Sequence, residues 1–165
     1  TAMTKWWGAT VIAIVSAVVL QSSVLPIFIA SPFKPDLLLV FVVLLGLRGS
    51  FKAGAALSWV LGLVKDVFSG LYLGLNALSF LVIFMVIKHV SERLYAESAP
   101  LLVIAVSIAT LSCISINLLL LVMFATSPGI AYSMSAGLVP HLLVNAFVAS
   151  LVPLIPGFDR LLEAP

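Results

Sequence analysis

Apolar residues run along this chain in long stretches rather than in alternation. Leu101 to Ala125 is one such stretch, and Val11 to Leu20, continued by Val24 to Ala30, is another. Each approaches or exceeds the roughly 20 residues that carry a helix across a bilayer. Short polar or Pro/Gly punctuation divides the chain into six apolar segments, approximately 6–29, 35–47, 53–67, 70–87, 100–125 and 131–155. The strands of a transmembrane barrel alternate apolar and polar residues, and Leu37 to Leu45 does not, so a barrel is excluded. The pattern predicts a single polytopic membrane domain over residues 1–165, an all-α bundle of six transmembrane helices, with the first segment kept as an anchor rather than cleaved as a signal peptide. The second segment is short, because at 1.5 Å per residue it covers only about 20 Å of a roughly 30 Å hydrocarbon core.

Composition sharpens this picture. Apolar residues make up 63% of the chain and charged residues 8%, against roughly 25% charged in an ordinary soluble domain. So few charges cannot cover a water-facing surface. The longest polar stretch, Lys88 to Ala99, is too short to bury a core of its own. If all six segments cross, Lys5, Arg48, Lys52, Lys88, Arg93 and Arg160 share one side, and Lys34 and Lys65 the other. The positive-inside tendency then places both termini in the cytoplasm, with Trp6, Trp7 and Tyr95 as interfacial anchors. A net charge of +2 is too small for a nucleic-acid surface. One cysteine, Cys113, allows neither a disulfide framework nor a cysteine metal site within the chain.

The polar residues inside the apolar segments are the candidates for function. Gly54, Ser58, Gly62 and Asp66 recur every four residues, a small-residue stripe ending in a carboxylate. Such a stripe admits a second helix at close range, either one of this chain or a partner's. Gly70 and Gly74 follow, with Asn76 able to bond across helices. Pro35 and Asp36 open the second segment as an N-terminal cap. Asn117 lies on a weakly polar face with Thr110 and Cys113, and His141 and Asn145 lie on a strip with Ser133, Gly137 and Ala149. Asn76, Asn117, His141 and Asn145 are thus candidates for a buried polar seam. No catalytic assignment follows. His141 and Asn145 match one element of the intramembrane prenyl-endopeptidase signature, but paired glutamates are missing, since Glu92 and Glu97 lie in a loop; nor is there a Gly-x-Ser-x-Gly segment for a rhomboid-type serine. Neither metal nor cofactor is called for. Lys34 and Lys65 alone are too few for a diphosphate-binding surface.

Lys34-Pro35-Asp36-Leu37, Gly62-Leu63-Val64-Lys65-Asp66-Val67-Phe68-Ser69-Gly70 and Leu73-Gly74-Leu75-Asn76-Ala77-Leu78 together resemble the bacterial rod shape-determining MreD family. The resemblance implies a non-enzymatic subunit of the cell-elongation complex in the cytoplasmic (inner) membrane, surrounded by membrane lipid. It implies binding to MreC, action with MreB, RodA and a class B penicillin-binding protein, and support of peptidoglycan synthesis and rod shape. It also implies a fold similar to the substrate-binding S-components of energy-coupling-factor transporters, which defines the alternative reading as a vitamin-binding transporter subunit. Asn76, Asn117, His141, Asn145 and Asp66 are few for a charged vitamin.

Overall fold

The computed structural model describes residues 2–30, 33–69, 72–91, 99–124 and 128–155, apart from the side chains of 2–7, 9, 10, 99, 128, 130, 131 and 134. Among the described residues every regular element is helical. The first rod comprises α1 (Ala2–Val19), a π-helical turn (Leu20–Val24) and α2 (Leu25–Phe28). Pro26 has no N–H to give the Ser22 carbonyl, and the ladder relaxes one turn earlier into the wider π spacing, with the Leu25 N–H on the Leu20 carbonyl. There follow α3 (Leu37–Arg48), α4 (Phe51–Ser69), α5 (Leu75–Ser91) and α6 (Ala99–Phe124). The last rod is broken at Gly137 into α7 (Pro128–Ala136) and α8 (Leu138–Leu151), and ends in a 3-10 turn (Val152–Leu154).

The centre of the bundle is α3. It is apolar on every side, and a helix without a polar face has nowhere stable to lie except among other helices. Leu38 to Gly46 are all buried, packed among α1, α4, α5, α6 and α8. Phe80 and Phe84 of α5 and Val106 of α6, all completely buried, complete the core around it. Outward faces are also apolar: Phe124, Phe28 and Leu73 are each more than three-quarters exposed. A surface of this kind belongs in lipid, not water.

The expectation of six transmembrane helices is corrected by this structure. Only Val11–Phe28 and Pro100–Phe124 are, among the described residues, long and apolar enough to cross a membrane. The others fall short for separate reasons. The 12 residues of α3 reach about 18 Å, α5 has 17, and the break at Gly137 shortens the last rod to Leu138–Leu154. α4 is long enough but carries Lys52, Lys65 and Asp66. What stands is an all-α bundle of six helical rods.

The structure fixes which groups share an end. At one end Lys88 donates to the Gly49 carbonyl at 2.9 Å and Ser91 to the Gly46 carbonyl at 3.1 Å, drawing the α3–α4 turn to the end of α5. At the other end Gln21 of the π turn, Asp36 before α3, Lys65 near the end of α4 and His141 in α8 meet around a cleft. Arg93, Tyr95 and Arg160 lie outside the described residues, as do the side chains of Lys5, Trp6 and Trp7.

Candidate functional site

Two buried carboxylates organise the polar interior. Asp66, 3% exposed, sits in the last turn of α4, where the chain must reverse into α5. Gly74 makes the reversal with φ of +98°, a region that costs a side-chain-bearing residue free energy. The N–H groups exposed at the start of α5 then converge on Asp66. Its Oδ2 accepts from Gly74 at 2.8 Å and Ala77 at 3.2 Å, and its Oδ1 from the Asn76 backbone at 2.9 Å and side-chain amide at 2.8 Å. Neutral donors and the positive end of the helix dipole thus compensate the carboxylate. Asn76 in turn accepts from the Asn117 amide at 3.1 Å, and Ser79 donates to the Asn117 carbonyl oxygen. The centre joins α4, α5 and α6.

The stripe leading to Asp66 is filled from within the chain. A Cβ on Gly62 would stand 2.7 Å from the Asn76 carbonyl oxygen and closer still to the Ala77 backbone, and one on Gly54 would enter the Phe84 ring. The glycines therefore let α5 lie directly on α4. Ser58 between them is fully buried and its hydroxyl has no partner among the described residues. Gly74 faces open space, and Gly70 lies outside the described residues.

Asp36, 2% exposed, makes the second centre. Its Oδ1 caps α3 by accepting the Leu39 N–H at 3.2 Å and also accepts the Gln21 amide at 3.3 Å, while Gln21 accepts the Leu38 N–H at 3.2 Å. Its Oδ2 is ion-paired with Lys65, whose side chain is 20% exposed and also stands 4.9 Å from the centre of the Phe80 ring. The Asp36 N–H donates to Asn145 at 2.7 Å, and the Asn145 amide donates to Thr110 at 3.0 Å. The π turn, α3, α4, α6 and α8 are thereby tied at one point.

The polar seam read from the sequence is therefore divided. Asn76 and Asn117 belong to the Asp66 centre and Asn145 to the Asp36 centre; His141 is half-buried and lines the cleft beside Asp36 without joining either network. The pairing of Asp36 with Lys65 and the part played by Gln21 escaped the sequence reading, which took Asp36 for a cap alone. One signal was available: a lysine and a carboxylate in apolar segments assigned to the same side call for each other. Among the described residues no group of three or more His, Cys, Asp or Glu is placed to hold a metal.

Comparison with known protein families completes the site's context. A family profile for rod shape-determining protein MreD matches residues 3–162. The chain belongs to the MreD family. It is accordingly a membrane-associated component of the machinery of rod-shaped growth. No curated protein and no solved structure gives a significant match, so the S-component resemblance carries no argument about the fold.

Proposed function

We propose that this MreD-family chain is a non-enzymatic scaffold of the elongation complex that binds MreC and, with MreB, RodA and a class B penicillin-binding protein, supports peptidoglycan synthesis. The observation that carries the reading beyond family membership is the use made of the polar interior. Of the eight buried polar or charged residues among the described ones, all but Ser58 are engaged in hydrogen bonds or ion pairs that tie helix to helix or cap a helix. Groups so committed hold a shape and leave no free acid, base or nucleophile among them.

MreC in this reading does not use the Gly54–Gly62 stripe, which α5 occupies. A transmembrane helix of MreC lies instead in the open groove of about 370 Å³ between the start of α5 and the end of α6, lined by Gly74, Leu75, Leu78, Leu120, Leu121 and Phe124 among others. The groove is apolar, and Gly74 leaves room for a backbone to approach. Both termini lie on the cytoplasmic side in the same reading. Gln21 and His141 stand at the cleft end, so α1 begins and α8 finishes toward the opposite end, which carries Arg48 and Lys88.

The test is a cysteine cross-linking scan of the co-expressed pair. Cysteines at Leu78, Leu120 and Phe124 are expected to trap the MreC helix, and cysteines at Ile104 and Val139 are not. Cross-links confined to the second set, or a pull-down returning coupling ATPases in place of MreC, would overturn the reading.

A further inference from the structure

The cleft beside Asp36 has a charge arrangement that the fold does not use up. It encloses about 270 Å³ and is lined by Gln21, Lys34, Asp36, Lys65, His141 and Phe68 among others. The Asp36 carboxylate is turned inward, with both oxygens already accepting from Leu39, Gln21 and Lys65. Lys65 gives one of its three donors to Asp36 and remains partly exposed. Lys34 is half-buried and has no ion-pair or hydrogen-bond partner among the described residues. His141 makes no side-chain hydrogen bond there either. One negative charge, internally satisfied, thus faces two positive ones, and the cleft presents a net surplus of cationic donors.

The setting of these donors narrows what they can take. Phe68, on the cleft wall, is 61% exposed, and Ile27 and Phe33, the sequence neighbours of the lining residues Pro26 and Lys34, have more than half their surface uncovered. Cationic donors backed by a built ion pair and fringed by exposed apolar side chains match a molecule with an anionic head and an apolar body. We propose that this cleft binds the phosphate of an anionic phospholipid, with Lys34 and Lys65 as the cations and the Phe68 rim against the acyl chains. Lys34 and Lys65, too few when counted along the sequence for a diphosphate, suffice for a single phosphate once the fold sets them on one cleft with His141.

The experiment is thermal unfolding of the purified full chain in neutral detergent, titrated with phosphatidylglycerol, phosphatidylcholine or glycerol phosphate. Phosphatidylglycerol is expected to raise Tm saturably, and the other two are expected to leave it unchanged at the same concentrations. Lys34→Gln should weaken the phosphatidylglycerol response about fivefold, the equivalent of one lysine at a membrane surface, with Lys34→Arg restoring it. Lys52→Gln, the same charge change at the opposite end, should not alter it. An equal response to phosphatidylcholine, or a response that Lys34→Gln leaves intact, overturns the proposal. Stabilisation by glycerol phosphate alone overturns the lipid as source and leaves a soluble phosphate in its place. No MreC is present in this measurement, so its outcome is independent of the scaffold reading.

Discussion

Asp36 and Asp66 are the same residue type at the same end of the bundle, both almost wholly buried, and they are stabilised in opposite ways. Asp66 has four hydrogen bonds from neutral groups, three of them backbone N–H groups of the α4–α5 reversal and the first turn of α5. Asp36 has two neutral donors and a cation, and that cation reaches an open cleft. A carboxylate whose oxygens are taken up by a helix terminus is closed to the outside. A carboxylate stabilised by a partly exposed lysine anchors a group that has capacity to spare. The difference teaches that burial of a charge says little about function until its partners are named.

The contrast breaks most sharply at Asp66. Asp66→Ala strands three backbone donors and the Asn76 amide, and each buried donor left without an acceptor costs about 1 to 3 kcal/mol. A loss of roughly 4 kcal/mol or more is expected on that basis, read as a large fall in Tm or failure to recover folded protein from detergent. Asp66→Asn keeps one acceptor oxygen and should lose visibly less. If Asp66→Ala leaves Tm unchanged, the carboxylate is not what holds α5 onto α4.

The ion pair comes next. Lys65→Met leaves Asp36 buried with two neutral donors, a loss of roughly 2 to 3 kcal/mol once the partial exposure of Lys65 is allowed for. Asp36→Asn combined with Lys65→Met removes both charges and should recover most of that Tm. The double variant is the sharper probe, because only a true pair shows the recovery. Additive losses in the two single variants would mean that each residue is stabilised by something else.

Asn145→Leu tests how far the Asp36 centre depends on α8. Thr110 keeps its own bond to the Val106 carbonyl at 2.8 Å, so the main loss is the acceptor for the Asp36 N–H. About 1 to 2 kcal/mol is expected, with α8 loosened and the response at His141 to lipid or alkylating reagents increased. A Tm loss as large as that of Asp66→Ala would mean that Asn145 holds more than one contact.

How much of this was legible depended on the range of the interaction. The helices were, because apolar runs act within a few residues, whereas the central place of α3 went unread although the helix has no polar face. The four-residue recurrence of Gly54, Ser58, Gly62 and Asp66 marked a close helix contact, but which helix would fill it is a matter of tertiary arrangement, and Phe84 and Ala77 lie well beyond any local pattern. Asp36 and Lys65 are separated by 29 residues, so their pairing required the ends of α3 and α4 to be set in register first. The number of spans was misjudged for a related reason: the shortness of the segment that forms α3, 12 residues in the structure, was noted without lowering the count, and the break at Gly137 in the last rod was not read. Membership of the MreD family was legible because its short motifs, around Asp36 and from Gly62 to Leu78, lie in the segments that build the two carboxylate centres.

The smallest expected effect isolates what the two centres have in common. Both satisfy every polar atom they bury, whereas Ser58, between Gly54 and Gly62 in the α4–α5 contact, has a hydroxyl with no acceptor or donor among the described residues. A buried hydroxyl without a partner carries a desolvation cost that a methyl group does not. Ser58→Ala keeps the small side chain that α5 requires, and should raise stability by about 0.5 to 1 kcal/mol, measurable as a modest rise in Tm. Ser58→Val, which adds volume where Gly54 and Gly62 show the approach to be close, should lower it. A fall in Tm for Ser58→Ala would mean that the hydroxyl is bonded across the α4–α5 contact in the membrane, and the stripe would then be a third polar link between these helices rather than a bare steric one.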